Sequence, residues 1–254
     1  PAQCHLFAQS HIPAHSQAHV LLSMMTPIAW LERIPSYKDK IEELKGKDLN
    51  TYGFLGYPVL QAADILLYDA DFVPVGRDQL PHLELTRMIA RRFNALYGTQ
   101  IKEPAELLTS APVLPGLDGR KMSKSYGNAV FLSDSPTDLA NKIMKMMTDP
   151  ARKRRTDAGN ADICPVFEYH KLLNVPERCS EIKRDCANAS LGCVDCKKEM
   201  IAKLQMTTTP IYEKRQSWLS KDSEINEILA QGAGQAATVA NAVLNTLEQA
   251  VHLK

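Results

Sequence analysis

The chain has 254 residues, 44% of them hydrophobic and 23% charged, and a net charge of +1. That length supports one large or two modest domains with a real core, in a composition ordinary for a globular protein. The charge balance neither demands nor excludes nucleic acid, no apolar run approaches the ~20 residues of a membrane helix, and no signal-peptide pattern is read at the start.

His5-Leu6-Phe7-Ala8-Gln9-Ser10 reads as a short buried strand, and Ile12-Pro13 as a turn. Ala14 to Met25 carries a helical pattern with Ala18, Leu21, Leu22 and Met25 apolar. His15 and His19 are four apart, a metal-capable spacing, but Ser16-Gln17-Ala18 between them lack the Glu of a zinc-protease motif. Two surface histidines are expected. Residues 31–50 are rich in Lys and Glu and read as a connector and a solvated helix.

Tyr57-Pro58 places proline at the first position of an expected helix running to Tyr68. Its composition says buried, yet Tyr57, Gln61, Asp64 and Tyr68 fall on one face. Buried polar groups need partners. Asp64 is the sharpest case, because an ionised carboxylate only accepts. Either it caps neighbouring backbone, or the stripe reads a polar ligand. Asp71 to Val75 follows as a strand, Gly76-Arg77-Asp78 as a tight turn, and Gln79 to Leu96 as a long helix with Asp78 at its N-cap. A strand, a glycine turn and a helix N-terminus together suit a nucleotide or another anion.

Residues 110–114 read as another strand, leading into Lys121-Met122-Ser123-Lys124-Ser125. With Gly116, Gly119 and Gly127 around it, this segment reads as a mobile loop. Two flexible ammonium groups suit a site where phosphate charge develops and leaves. Ser135-Pro136-Thr137-Asp138 marks a helix start, with Leu139, Ile143 and Met147 facing inward. Arg152-Lys153-Arg154-Arg155 is a basic run, either a solvated linker or a phosphate contact. Beyond 163 nothing reads as strand; Lys197 to Leu219 and Ser223 to Leu253 read as helices, the second interrupted early by Gly232 and Gly234.

Five of the six cysteines lie between 164 and 196. Clustered cysteines without a secretion signal suggest metal more than disulfides. Cys164, Cys186, Cys193 and Cys196 give C-x21-C-x6-C-x2-C, and four thiolates suit tetrahedral zinc or a four-iron cluster equally by count. Cys179 reads as a bystander.

Gln61-Ala62-Ala63-Asp64-Ile65-Leu66, Val73 to Gln79, His82 to Arg87, Lys121 to Ser125, and Thr148-Asp149-Pro150 with Thr156-Asp157 together carry a resemblance. It spans nearly all of the chain. On those residues the sequence resembles the bacterial-type tryptophanyl-tRNA synthetases, class I aminoacyl-tRNA synthetases. The resemblance implies an α/β fold: a Rossmann-like parallel-sheet catalytic domain over residues 1–135, incomplete at its N-terminus, then an all-helical anticodon-binding domain over residues 136–254. It implies ATP-dependent activation of L-tryptophan to tryptophanyl-adenylate, and transfer to tRNA(Trp).

By the same resemblance Asp64 accepts the indole N–H, and Tyr57, Gln61, Val73, Val75 and Gln79 line its pocket. Gly76, Arg77, Asp78 and Val113 hold ATP, together with Lys121, Met122, Ser123, Lys124 and Ser125. Lys121 and Lys124 are the catalytic pair, and Mg²⁺ accompanies ATP. A homodimer in the cytoplasm is implied. A subset of the family holds a [4Fe-4S] cluster on a similar cysteine pattern, one residue longer in its first spacing; this favours the cluster over Zn²⁺. The family's other phosphate-binding signature, with glycine and His or Asn, is expected before Pro1 and is not among these residues. The chain therefore reads as lacking its N-terminal portion, with weak or no adenylate formation. The rival readings are a tyrosyl-tRNA synthetase and a non-catalytic, tRNA-binding derivative.

Overall fold

The computed structural model describes residues 4–35, 37, 51–108 and 113–253. In chain order it contains α1 (Ala14–Met25), α2 (Ile28–Glu32), α3 (Tyr52–Leu66), β1 (Phe72–Pro74), α4 (Leu80–Tyr97), β2 (Ala105–Leu107), α5 (Pro136–Lys145), α6 (Pro165–Leu173), α7 (Pro176–Ala187), α8 (Cys193–Trp218) and α9 (Asp222–Ala250). Two compact units result: Pro1–Ser110 with Ser223–Lys254, and Ala111–Asp222. This differs from the boundary expected at 135. The last helix returns to the first unit, where Ala233, Ala236, Ala240, Leu244 and Leu247 join its core.

In the first unit, α1 buries Ala14, Ala18, Leu22 and Met25, a stripe of helical period. α3 buries Gly56, Pro58, Val59, Ala62, Ala63 and Leu66, mostly small residues that let α1 and α4 pack closely against it. Pro58 is not at the helix start. α3 begins six residues earlier, where the Thr51 hydroxyl accepts from the Phe54 N–H at 3.3 Å. Burial on that face outweighs the ~3 kcal/mol an internal proline costs. β1 and β2 form a parallel pair, with Phe72 opposite Ala105 and Pro74 opposite Leu107. The connection between them runs through α4, giving the βαβ unit of an α/β fold.

Three expectations are corrected here. Residues 5–8 run without regular structure into a 3-10 turn at Gln9–His11, not as a strand. Their backbone lies against α9: a Cβ at Gly232 would collide with the Leu6 carbonyl. α9 accordingly runs unbroken through Gly232 and Gly234. Asp78 does not cap α4. A 3-10 turn at Arg77–Gln79 intervenes, Gln79 takes the cap position, and Pro81 in the first turn removes an N–H that a capping side chain would bind. β2 was not anticipated, because Ala-Glu-Leu is only three residues, too short a run for alternation to mark a strand.

In the second unit, Ser135 caps α5 as expected, its hydroxyl accepting from Asp138 N–H at 3.0 Å. Leu139 and Ile143 face inward, but the helix ends at Lys145, so Met146 is buried and Met147 half exposed. α5 and α6 both pack on α8, around Leu139, Ile143, Met146, Val166, Tyr169, Met200 and Ile201. Most of the charged helix expected within 31–50, and residues 110–112 of the expected strand, lie outside the described residues. Val113 and Leu114 are in no strand; the next residue, Pro115, makes an isolated antiparallel bridge with Lys121.

Candidate functional site

The polar stripe of α3 is partnered by side chains. Gln61 Oε1 lies 2.7 Å from His82 Nδ1 on α4, and the Tyr57 ring meets His82 edge-on at 6.2 Å. Asp64 Oδ1 accepts from Gln9 Nε2 and faces His15 Nδ1, both at 2.6 Å. His15 Nε2 lies 2.8 Å from the Tyr68 hydroxyl. Asp64 therefore does not cap backbone, and among the described residues its Oδ2 has no hydrogen-bond partner. His15, expected on the surface, is 4% exposed. Its i,i+4 relation to His19 was the wrong signal; its partner is 49 residues away. His19 is half-buried beside the Tyr52 hydroxyl at 3.2 Å, and burial lowers its pKa. Burial first, and then the Asp64 charge, push the Tyr68 hydroxyl up to about 12.

Val73 and Val75 are half-buried along β1 and its exit, whereas Gly76, Arg77 and Asp78 are exposed. Gln79 Nε2 donates to Asp78 Oδ2 at 3.2 Å. A Cβ at Gly76 would come within 2.6 Å of Asp78 Oδ1, so glycine here leaves that carboxylate room against the backbone. All of these positions belong to the first unit. Val113, the lysine loop and the cysteines from Cys164 to Cys196 belong to the second.

The lysine loop is pinned at its base rather than loose. Asn128 is 4% exposed. Its Oδ1 accepts from Ser123 N–H at 2.9 Å; its Nδ2 donates to Asp118 Oδ1 at 2.7 Å and to the Lys121 carbonyl at 3.2 Å. Gly116 is required here, because any Cβ would strike the Asn128 amide. Arg120 closes the turn on Asp118 Oδ2 at 2.6 Å and stacks on Tyr126 at 4.9 Å. The Asn128 hydrogen bond, followed by those from Arg120, holds the Asp118 carboxyl down at about 2. Lys121 and Lys124 are both exposed, and their ammonium groups have no hydrogen-bond partner among the described residues; Met122 and Ser123 are half-buried. The Ser125 side chain lies outside the described residues. Val113 is 57% exposed.

Cys164 caps α6, Cys186 lies near the end of α7, and Cys193 and Cys196 open α8. The charges of Cys164, Cys186 and Cys193 all act on Cys196, whose thiol is pushed up to about 12 by burial first and by those neighbours next. Burial likewise raises Cys164 and Cys186, with Cys193 adding to both. Cys164, Cys186 and Cys193 thus lie near enough to Cys196 for their charges to act on it. Among the described residues no three metal-binding groups converge on a point that one ion could fill. Cys179 stands apart, its thiol donating to the His170 carbonyl at 3.3 Å.

Arg152 turns its Nη1 to Cys186 Sγ at 3.7 Å, while Lys153, Arg154 and Arg155 are exposed. A cleft of about 250 Å³ lies between this run and Gly192, Cys193 and Val194 at the start of α8.

Against known proteins, residues 1–209 match the family model for class I tRNA synthetases of the tryptophan and tyrosine type. A tryptophan–tRNA ligase of Thermotoga maritima is 45% identical over 254 residues, covering 100% of this chain and 77% of the relative. That of Ralstonia nicotianae is 37% identical, covering 100% of this chain and 81% of the relative. The crystal structure of Campylobacter jejuni tryptophanyl-tRNA synthetase with ADP and tryptophan superposes with a TM-score of 0.83 at 31% identity, over 99% of this chain and 78% of that one.

Proposed function

Because the chain belongs to the class I tRNA synthetases, among the tryptophan–tRNA ligases, we propose that the α3 stripe is its amino-acid site and the lysine loop its phosphate site. The reaction is the ATP-dependent joining of L-tryptophan to tRNA. In its first step the tryptophan carboxylate attacks the α-phosphorus of ATP and pyrophosphate leaves. In the second, a ribose hydroxyl of tRNA attacks the adenylate carbonyl and AMP leaves.

The assignment is carried by the unpartnered Oδ2 of Asp64. An acceptor-only carboxylate meets an indole nitrogen that only donates. Tyr57, Gln61, Val73, Val75 and Gln79 complete that pocket. Gly76, Arg77 and Asp78 hold ATP with Mg²⁺, and Val113 rests against adenine. Lys121 and Lys124 stabilise the charge that grows on the departing pyrophosphate, from a loop whose base Asn128 sets through Ser123 N–H and the Lys121 carbonyl. Met122 and Ser125 complete the loop. The basic run Arg152 to Arg155 supports contact with tRNA phosphates. The assembly that goes with this reading is a homodimer.

Cys164, Cys186, Cys193 and Cys196 are read as the ligands of a [4Fe-4S] cluster, with Zn²⁺ as the alternative. What supports this reading is the cysteine spacing C-x21-C-x6-C-x2-C, four thiolates being the ligand set of either group. When bound, such a group ties the starts of α6 and α8 to the end of α7.

Tryptophan binding tests the pocket directly, without requiring turnover. Asp64→Asn replaces a charged acceptor by a neutral amide. Calorimetric titration with L-tryptophan is expected to show at least about a tenfold loss of affinity. Unchanged affinity overturns the site.

A further inference from the structure

The Asp64 carboxylate is held at one oxygen. Oδ1 takes both Gln9 Nε2 and His15 Nδ1 at 2.6 Å. Behind it, His15 Nε2 meets the Tyr68 hydroxyl at 2.8 Å. The Phe7 ring sits 6.2 Å from His15 and 5.8 Å from Tyr68, and His15 is 4% exposed, so the imidazole has little access to water. A neutral imidazole offers one donor and one acceptor. Tyr68 keeps its proton, its pKa pushed to about 12, and donates it to Nε2. The ring hydrogen is then on Nδ1 and points at Asp64. Every bond in the series runs one way, from Tyr68 through His15 to the carboxylate.

We propose that His15 is a positioning residue of the tryptophan site. With Gln9 it occupies Oδ1, which fixes the plane of the Asp64 carboxylate and leaves Oδ2 as the acceptor for the indole N–H; Tyr68 fixes the tautomer that makes this work. This inference rests on Asp64 being the indole reader. It goes beyond that reading in giving selectivity for an N–H to a residue that does not touch the ligand. A carboxylate free to rotate would accept water as readily as indole, so losing His15 should cost affinity only where the ligand has an N–H to give.

The test uses the full chain and two probes, L-tryptophan and its benzothiophene analogue, which keeps the shape and replaces N–H by sulfur. Titration calorimetry gives the preference of each variant for tryptophan over the analogue. His15→Phe is expected to weaken tryptophan about tenfold and to leave the analogue within about twofold. His15→Asn, which returns a donor near Nδ1, is expected to recover most of the loss, and Tyr68→Phe to fall between. If His15→Phe weakens both probes alike, the residue is only structural and the proposal falls. If Asp64→Asn abolishes the preference but His15→Phe leaves it intact, the indole site stands and the positioning role is overturned. If Asp64→Asn also leaves the preference intact, the site assignment itself fails and takes the proposal with it. Should His15→Phe not fold, Tyr68→Phe decides by the same criteria.

Discussion

At the scale of single residues, Asn128 organises more of the lysine loop than the lysines do. It touches Ser123, Asp118 and the Lys121 carbonyl from a position closed to water. Asn128→Ala removes three part-buried hydrogen bonds at once, and is expected to cost about 1–3 kcal/mol in urea unfolding. It also removes the chief cause of the low Asp118 pKa. A carboxyl whose folded pKa is depressed adds stability above its unfolded value, and that stability is lost as pH falls through the folded one. In the intact chain this window runs from 3.8 down to about 2. In Asn128→Ala it should contract, with Asp118 titrating nearer 3.8 by carboxyl NMR. An unmoved Asp118 would show that Arg120 alone holds the turn. None of this was readable in the sequence. Asn128 looked like the tail of a flexible segment, because a side chain that bonds back across five to ten residues leaves no periodic trace. Asp64 was legible as a polar group on an apolar helix, but His15 was not, since its partner lies on another helix.

At the scale of elements, α1 and α4 were legible almost to the residue, because apolar stripes at helical spacing mark them. α3 was misjudged at its start, where proline chemistry pointed to Pro58 and the Thr51 cap prevailed. α9 was misjudged at its glycines, and those two glycines make opposite predictions. Gly→Ala in a helix interior ordinarily gains about 0.5–1 kcal/mol. Gly234 has open space beside it, so Gly234→Ala should raise the melting temperature. Gly232 faces the Leu6 backbone, so Gly232→Ala should lower it. Paired thermal melts check both signs. If both variants stabilise, the N-terminal segment does not lie on α9.

At the scale of the whole molecule, each unit has its own apolar core. The cysteine spacing was plain from sequence, but the elements it joins were not: Cys164 sits at an N-cap, Cys186 near a helix end, and Cys193 and Cys196 in a first turn. A group bound there cross-links three helices of one unit. On the cluster assignment proposed above, removing iron from anaerobically purified protein is expected to speed hydrogen exchange in α6, α7 and α8 while leaving α1, α3 and α4 unchanged. An iron-free preparation with the same exchange pattern would end the cluster assignment.

The division of the chain also bears on its synthesis. Residues 111–222 interrupt a unit that is complete only when 223–254 arrive. During translation the inserted unit leaves the ribosome entire and can close as a nascent domain. The first unit waits, its α1 and α3 still missing the apolar face that the last helix brings. Leu6 emerges long before Gly232, the residue its backbone lies against.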